Sequence, residues 1–314
     1  MSPIKLCFLG TPQFAAVHLK SILNNQAYTV VGVVTQPDRP AGRKMQLTPS
    51  AVKSLALENN LPVLTPDNLR KEPEVFEKIK SWGAEVAVVV AFGQILSQEF
   101  LDSFKYGAVN VHGSLLPKWR GAAPIQRSIE AGEKKTGVSL QRMVKKLDAG
   151  PIIGERVLEL DETITATELY ERLSVLGCEL LNIDLQKYLS GEIKLVEQDE
   201  TQVTIAKKIE KEESMLTWTS SATDLHNRIR AFSMGPGTYV MFQQKRLKIH
   251  KTKVLKLDSK LEPSAIVKLS ATELVIQAGV NQISLLEVQP ESKAKMPISE
   301  FLKSHQLKEG DLFV

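Results

Sequence analysis

The chain has 314 residues, 43% of them apolar and 24% charged, with a formal net charge of +4. That is enough apolar material for two packed cores, and no apolar run approaches the ~18 residues of a membrane span. Cys7 and Cys178 are its only cysteines, which excludes a disulfide framework and a Cys-x-x-Cys metal site and points to a reducing, cytoplasmic setting.

The N-terminal stretch MSPIKLCFLG is too short for a secretory signal, and its Ile4–Leu9 part reads as a strand. Gly10-Thr11-Pro12 turns the chain into a helical pattern over Gln13–Asn24. A second strand, Tyr28–Thr35, precedes a Pro-, Gly- and Arg-bearing loop over Gln36–Ser50 and a helix around Ala51–Asn60. Val86–Phe92 is a continuous apolar run of the kind buried on both faces of a sheet. Ala108–His112 is the next strand, and the helix-like AAPIQRSIEAG follows it. Strand and helix in alternation predict an α/β fold, a doubly wound, mostly parallel sheet. FLGTPQFA stands where a dinucleotide fingerprint would lie but lacks its second and third glycines, so nicotinamide or ATP binding is disfavoured; the turn either is simply tight or lines a ligand cleft.

Further on, the turn-like Asp-Ala-Gly-Pro leads into the strand-like IIGERVLEL. A long helix is expected over Thr165–Leu189, with Leu169, Leu173, Leu176, Leu180 and Leu181 on one side. The polar SGEIKLVEQDET reads as a linker. From Lys207 onward the texture changes: a helix capped by Ser221, a Gly-Pro-Gly turn, then short strands over Lys245–Leu257, Ala265–Leu269, Glu273–Gln277 and Gln282–Val288. These predict a small β-barrel. The expected organisation is therefore 1–189, 190–206 as linker, and 207–314.

Chemistry concentrates in NVHGSLLPKWRGAAP, which starts at Asn110. Alternate residues of a strand share a face, so Asn110 and His112 project together at the strand's carboxyl end, where open α/β sheets bind ligands. Asp148, on its turn, is placed to reach a neighbouring strand end. An amide donor, a titratable imidazole and a carboxylate suit transfer of an acyl group to an amine: donors hold a tetrahedral oxyanion while the anion orients His and assists proton transfer. Leu115 and Leu116 are too apolar for a free loop and suit the wall of a slot for a flat ligand.

NVHGSLLPKWRGAAPIQ together with LDAGPI resembles the 10-formyltetrahydrofolate-dependent formyltransferases. FLGTPQFA, TQPDRPAGR, LTPSAVK, VVVAFGQIL, QDET and IRAF extend the likeness over nearly the whole chain, and QPDRPAGR and WRGAAPIQ single out the methionyl-tRNA formyltransferase family within that superfamily. The resemblance implies a Rossmann-like domain followed by an OB-like barrel, and formylation of the α-amine of methionine on initiator Met-tRNA in translation initiation. It implies Asn110, His112 and Asp148 as catalytic residues. The folate co-substrate would lie on Ser114, Leu115, Leu116 and Pro117, with its pterin against Phe92, Gly93, Gln94, Ile95 and Leu96. No metal is implied, no membrane, and a monomer is expected. Sister enzymes formylating an amino sugar nucleotide or glycinamide ribonucleotide would share the Asn-His-Asp set, but would not need the Arg43 loop or a basic barrel. A non-catalytic RNA-binding protein would not keep that set.

The charge distribution bears on the tRNA. From Lys207 onward there are 17 Lys and Arg against 12 Asp and Glu, while the preceding residues hold 23 against 24. KRLKIHKTKVLK packs six cations between Lys245 and Lys256 without an acid, in imperfect alternation with apolar residues, and suggests a strand with a phosphate-tracking face. Candidate tRNA contacts are Lys245, Arg246 and Lys248 there, and Lys207 and Lys208 at the end of the linker. The loop Gln36–Ser50 adds Arg39, Arg43 and Lys44, with Arg43 the principal contact by resemblance.

Overall fold

The run Ile4–Gly10 forms strand β1, and the helix Gln13–Leu23 returns the chain to β2, Tyr28–Val34, in the computed structural model, which describes residues 2–41 and 45–314. Two short strands, β3 (Arg39–Ala41) and β4 (Gln46–Thr48), pair antiparallel. The helix Ala51–Glu58 and β5 (Val63–Leu64) follow, then the helix Pro73–Ser81, β6 (Val86–Val90), the helix Gln98–Asp102 and β7 (Ala108–His112). After the two-residue strand β8 (Arg120–Gly121) come β9 (Lys135–Arg142), β10 (Ile152–Glu159) and β11 (Ile205–Ala206).

The main sheet has the order β10-β9-β7-β6-β1-β2-β5, and the five strands from β7 to β5 are parallel. β9 joins antiparallel to β7, and β10 antiparallel to β9. The chain leaves β1 in one direction towards β2 and β5, then returns to build β6 and β7 on the other side. The carboxyl ends of β1 and β6 therefore flank the topological switch point, where ligands bind such sheets. Every residue of β6 is buried, as an apolar run with helices on both faces requires. One of the two faces packs Cys7, Leu9, Val34, Ala87 and Val89 against Ile79, Phe100 and Phe104.

The helix expected over 165–189 is present over 166–189, but it is not α-helical throughout. An α-helix over Ala166–Glu179 passes into a π-helical turn, Leu180–Asp184, before Leu185–Leu189 completes it. The Tyr28 hydroxyl donates to the Leu181 carbonyl at 2.8 Å, and Asn182 engages Ser21 and Asn25, so side chains of neighbouring elements compete for this turn.

The chain divides into two compact units: Met1–Pro124, Lys135–Glu159 and Tyr170–Ala206 form one, and Ile125–Lys134, Leu160–Leu169 and Lys207–Val314 the other. Two segments differ from the sequence expectation. Residues 190–206, expected as a linker, lie in the first unit, where Val196 bridges Ile152 and β11 pairs with β8. Residues 125–134 and 160–169 group with the second unit because its cations hold them: Arg228 pairs with Glu130, and Arg230 donates to the carbonyl of Ile164.

In the second unit the helix Ala222–Ala231 packs on antiparallel ladders of β12 (Thr238–Phe242), β13 (Lys245–Leu255), β14 (Ile266–Leu269), β15 (Leu274–Gln277), β16 (Gln282–Pro290) and β17 (Met296–Pro297). Their order is β12-β13-β16-β15-β14, with β17 on β16. Leu225, Ile229, Val240, Phe242, Leu285, Phe301 and Phe313 fill its core. The imperfect alternation of β13 has a structural cause. Its register on β16 shifts around Lys251, a bulge that resets the period-two phase. Leu247 and Ile249 before the bulge and Thr252 after it are all buried, while Arg246, Lys248, Lys251 and Lys253 are all exposed.

Candidate active site

Strand β7 sets the positions of Asn110 and His112. Asn110 pairs with Val89 of β6 on one side and Gln141 of β9 on the other, and His112 lies opposite Ser139. Both side chains face the same way at the end of a fully buried strand, and Asn110 is 8% and His112 6% exposed. Among the described residues no hydrogen-bond partner engages the Asn110 carboxamide, which leaves its N–H groups for a ligand.

Asp148 comes to the same place. Its turn takes φ +49°, and its carboxylate lies 3.7 Å from His112 Nδ1. Both of its oxygens are held: the Gly121 N–H donates to Oδ2 at 2.9 Å and Gln141 Nε2 to Oδ1 at 3.2 Å. Two residues further on, Gly150 is obligatory, because a Cβ there would meet the Arg142 carbonyl oxygen at 1.7 Å. His112 Nε2 lies 2.9 Å from the Trp119 carbonyl oxygen. A carbonyl oxygen at hydrogen-bond distance and a carboxylate at 3.7 Å thus face the two ring nitrogens. Donation from His112 to a substrate oxygen requires exchange of one of these partners, whereas Asn110 can donate directly.

The residues expected to hold folate divide. Phe92 and Gly93 line a cavity of about 350 Å³ with Thr11, Gln36, Pro37, Arg39, Thr48 and Ser50, at the carboxyl ends of β1 and β6. Phe92 itself is 2% exposed, and its carbonyl accepts from Thr11 Oγ1 and Gln36 Nε2. Gln94 is committed to the backbone of Pro66 and Leu69, Leu96 is buried in the core, and Ile95 stands 70% exposed. Ser114 donates to the Lys118 carbonyl and Leu116 is buried, so Leu115 and Pro117 carry the half-exposed surface of that loop. Among the described residues no three His, Cys, Asp or Glu side chains cluster as a metal site would.

Sequence reasoning left the FLGTPQFA turn between a tight turn and a cleft lining, and it has both features. A Cβ at Gly10 would lie 2.6 Å from Ala15 Cβ and 2.8 Å from the Val90 carbonyl oxygen, and Thr11 lines the cavity. Gln141 carried no motif signal and Gln36 only its place in QPDRPAGR; the register of β9 and the return of the chain after β2 bring them to the site.

The cations are more dispersed. Arg39 is exposed and donates to Gln36 Oε1 at 2.9 Å; Arg43 and Lys44 lie outside the described residues. Lys207 and Lys208 are exposed, and their carbonyls accept from Arg127. Lys245, Arg246 and Lys248 stand exposed on β13, with Arg246 over the Tyr239 ring at 4.8 Å. No carboxylate pairs with these three among the described residues. No helix among the described residues is long and apolar enough to cross a membrane.

Comparison with known proteins decides the family. The Formyl transferase family matches residues 4–182 and the Formyl transferase, C-terminal domain, family matches residues 208–306. A methionyl-tRNA formyltransferase of Bdellovibrio bacteriovorus is 53% identical over 314 residues, 99% of each chain. The chain belongs to the methionyl-tRNA formyltransferase family. A second member, from Bacillus subtilis, is 39% identical over 98% of this chain and 97% of its own. The fold is shared more widely: WlaRD, a sugar 3N-formyl transferase solved in the presence of dTDP and 5-N-formyl-THF, superposes with a TM-score of 0.65 at 21% identity, over 93% of this chain and 99% of that one.

Proposed function

We propose that this enzyme transfers the formyl group of 10-formyltetrahydrofolate to the α-amine of methionine on initiator Met-tRNA, as a cytoplasmic monomer. The observation that carries the reading is 53% identity to a methionyl-tRNA formyltransferase through both units, combined with an amide, an imidazole and a carboxylate converging beside the switch point. The neutral amine nitrogen attacks the formyl carbon, the carbonyl becomes an oxyanion, the bond to folate N10 breaks, and the proton lost by the amine ends on N10. Products are formylmethionyl-tRNA and tetrahydrofolate.

In this reading Asn110 donates to the oxyanion, His112 adds positive charge beside it, and Asp148 orients His112 and helps relay the proton. A free α-amine titrates near ~8, so positioning and oxyanion stabilisation contribute more than activation of the nucleophile. The folate lies along Phe92–Leu96 and Ser114–Pro117. Arg39, Arg43 and Lys44 meet the acceptor end of the tRNA, and Lys207, Lys208, Lys245, Arg246 and Lys248 track its phosphates.

The test uses purified protein, 10-formyltetrahydrofolate and methionine-charged initiator tRNA, with charged elongator tRNA as control. Formyl-methionine should accumulate on the initiator alone. Release of tetrahydrofolate without product on the tRNA would transfer the assignment to a different amine.

A further inference from the structure

The sequence element QDET resembles its family counterpart, but the chemistry above gives it no task. Its first residue, Gln198, is half-buried and joins three parts of the site. Its Nε2 donates to the carbonyl oxygens of Asp148 at 2.8 Å and Gly150 at 2.7 Å. Its Oε1 accepts from Arg120 Nε at 3.1 Å and Nη2 at 2.8 Å. Because the guanidinium occupies the oxygen end, the amide has one orientation, with its donors turned to the two carbonyls.

Arg120 is 2% exposed, and the ion pair with Glu200 at 2.8 Å balances its charge. Glu200 in turn takes Lys146 Nζ, and the hydrogen bonds from Arg120 and Lys146 hold its carboxyl down at about 2. The residues flanking Arg120 complete the arrangement: the Trp119 carbonyl faces His112 Nε2, and the Gly121 N–H holds Asp148 Oδ2. β8 is fixed from outside by β11, with the Arg120 N–H donating to the Thr204 carbonyl at 2.9 Å and the Trp119 N–H to Thr204 Oγ1 at 2.8 Å.

We propose that Gln198 and Arg120 are positioning residues that lock the Asp148 turn and the β8 backbone onto the two sides of the imidazole. The inference rests on the reading of His112 and Asp148 as the reacting pair. Gly121 and Gln141 hold the carboxylate of Asp148, but a non-glycine residue at φ +49° next to an exposed Leu147 also needs its backbone held. Two part-buried hydrogen bonds to the carbonyls of Asp148 and Gly150, oriented by a charged partner, do this. A misplacement of about 1 Å at a reacting group costs up to ~100-fold in rate.

The experiment is a double-mutant cycle between positions 198 and 148, with kcat, both KM values and thermal midpoints measured for each protein. Gln198→Glu keeps the volume and the acceptor for Arg120 but removes the donors, so it guards against a cavity effect in Gln198→Ala. Both variants should lose roughly 10- to 100-fold in kcat, with KM for folate and tRNA within about twofold and little change in midpoint. In the Asp148→Asn background, Gln198→Ala should cost almost nothing more. Full losses in both backgrounds, or normal turnover of both Gln198 variants beside a slow Asp148→Asn, would overturn the positioning role. Normal turnover of Asp148→Asn would instead remove the active-site reading, and this inference with it.

Discussion

Strands β7 and β13 both carry functional candidates, yet every residue of Ala108–His112 is buried, whereas β13 exposes Arg246, Lys248, Lys251 and Lys253. The difference follows from what each environment tolerates. A buried polar group costs free energy unless it is paired, so the Trp119 carbonyl, the Gly121 N–H and the Gln141 amide engage His112 and Asp148 within hydrogen-bond distance, whereas the Asn110 amide has no partner among the described residues. An exposed cation is stabilised by water and needs no partner. In the function proposed above, the first region acts by geometry, where a single group matters greatly, and the second by summed charge, where each group contributes a little.

The largest effect that separates the two is on turnover. If Asn110 acts as proposed, Asn110→Ala removes a donor aimed at developing charge and should lower kcat by about 100- to 1000-fold, the usual cost of one oxyanion donor. KM for tRNA should stay nearly constant, because the side chain belongs to the transition state rather than to binding. Single-turnover formylation with saturating tRNA and folate measures this, and a near-normal rate would mean that the open amide is not the oxyanion's partner.

Burial also governs stability, and His18 tests it. Its Nδ1 lies 2.7 Å from the Phe14 carbonyl, while Nε2 is buried with no partner among the described residues. Burial pushes its pKa down to about 4, against a small opposing effect of that carbonyl. The unfolded chain takes up this proton near ~6.5, so the folded state is fully favoured above that pH. Stability is then lost as pH falls from about 6.5 to about 4, by up to roughly 3 kcal/mol, and levels off below. Urea titrations across this range should show a flatter slope for His18→Leu than for the parent, even if the variant is less stable at neutral pH. Identical slopes would remove His18 from the acid response.

On β13 the expectation is the reverse. Arg246→Gln and Lys248→Gln should each weaken tRNA binding at low salt and reduce the slope of log affinity against log salt by about one, leaving kcat at saturating tRNA unchanged. Lys268 in β14 is already paired with Glu273 at 2.6 Å, so Lys268→Gln is the matched control and should leave the slope alone. If all three variants behave alike, the stripe on β13 is only a solvated face.

How far the sequence foretold this depended on the distance over which each feature is determined. Asn110 and His112 were legible because strand periodicity and the carboxyl-end rule are local. Asp148 was visible as a turn whose carboxylate can reach a neighbouring strand end, and the family likeness added the expectation that it is catalytic. The roles of Gln141 and of Gln198, the latter visible only as part of QDET, were not legible: a glutamine has no periodicity, and the partners of these two lie up to 78 residues away. The bulge at Lys251 looked like noise in an alternation, although it is what keeps the cations on one face. The break at Leu180–Asp184 arises from Tyr28, Asn25 and Ser21, which no pattern within the helix could announce.

The smallest effect in the comparison concerns two serines with the same local task. Ser221 caps the helix Ala222–Ala231 by accepting from the Asp224 N–H at 3.1 Å, and Ser50 caps Ala51–Glu58 by accepting from the Lys53 N–H at 2.9 Å. Both follow from the preference for hydroxyl residues at this position. Their surroundings differ. Ser50 Oγ also lies 2.7 Å from the hydroxyl of fully buried Thr35, whereas the other contact of Ser221 is the exposed carboxylate of Asp224. Ser221→Ala should therefore cost about 0.5–1 kcal/mol, the cap alone. Ser50→Ala adds a buried hydroxyl without a partner, for a total of about 2 kcal/mol. Denaturant midpoints of the two variants measured side by side decide the point. Equal losses would show that burial does not amplify the cap, and the contrast drawn between the two regions would then hold for function but not for stability.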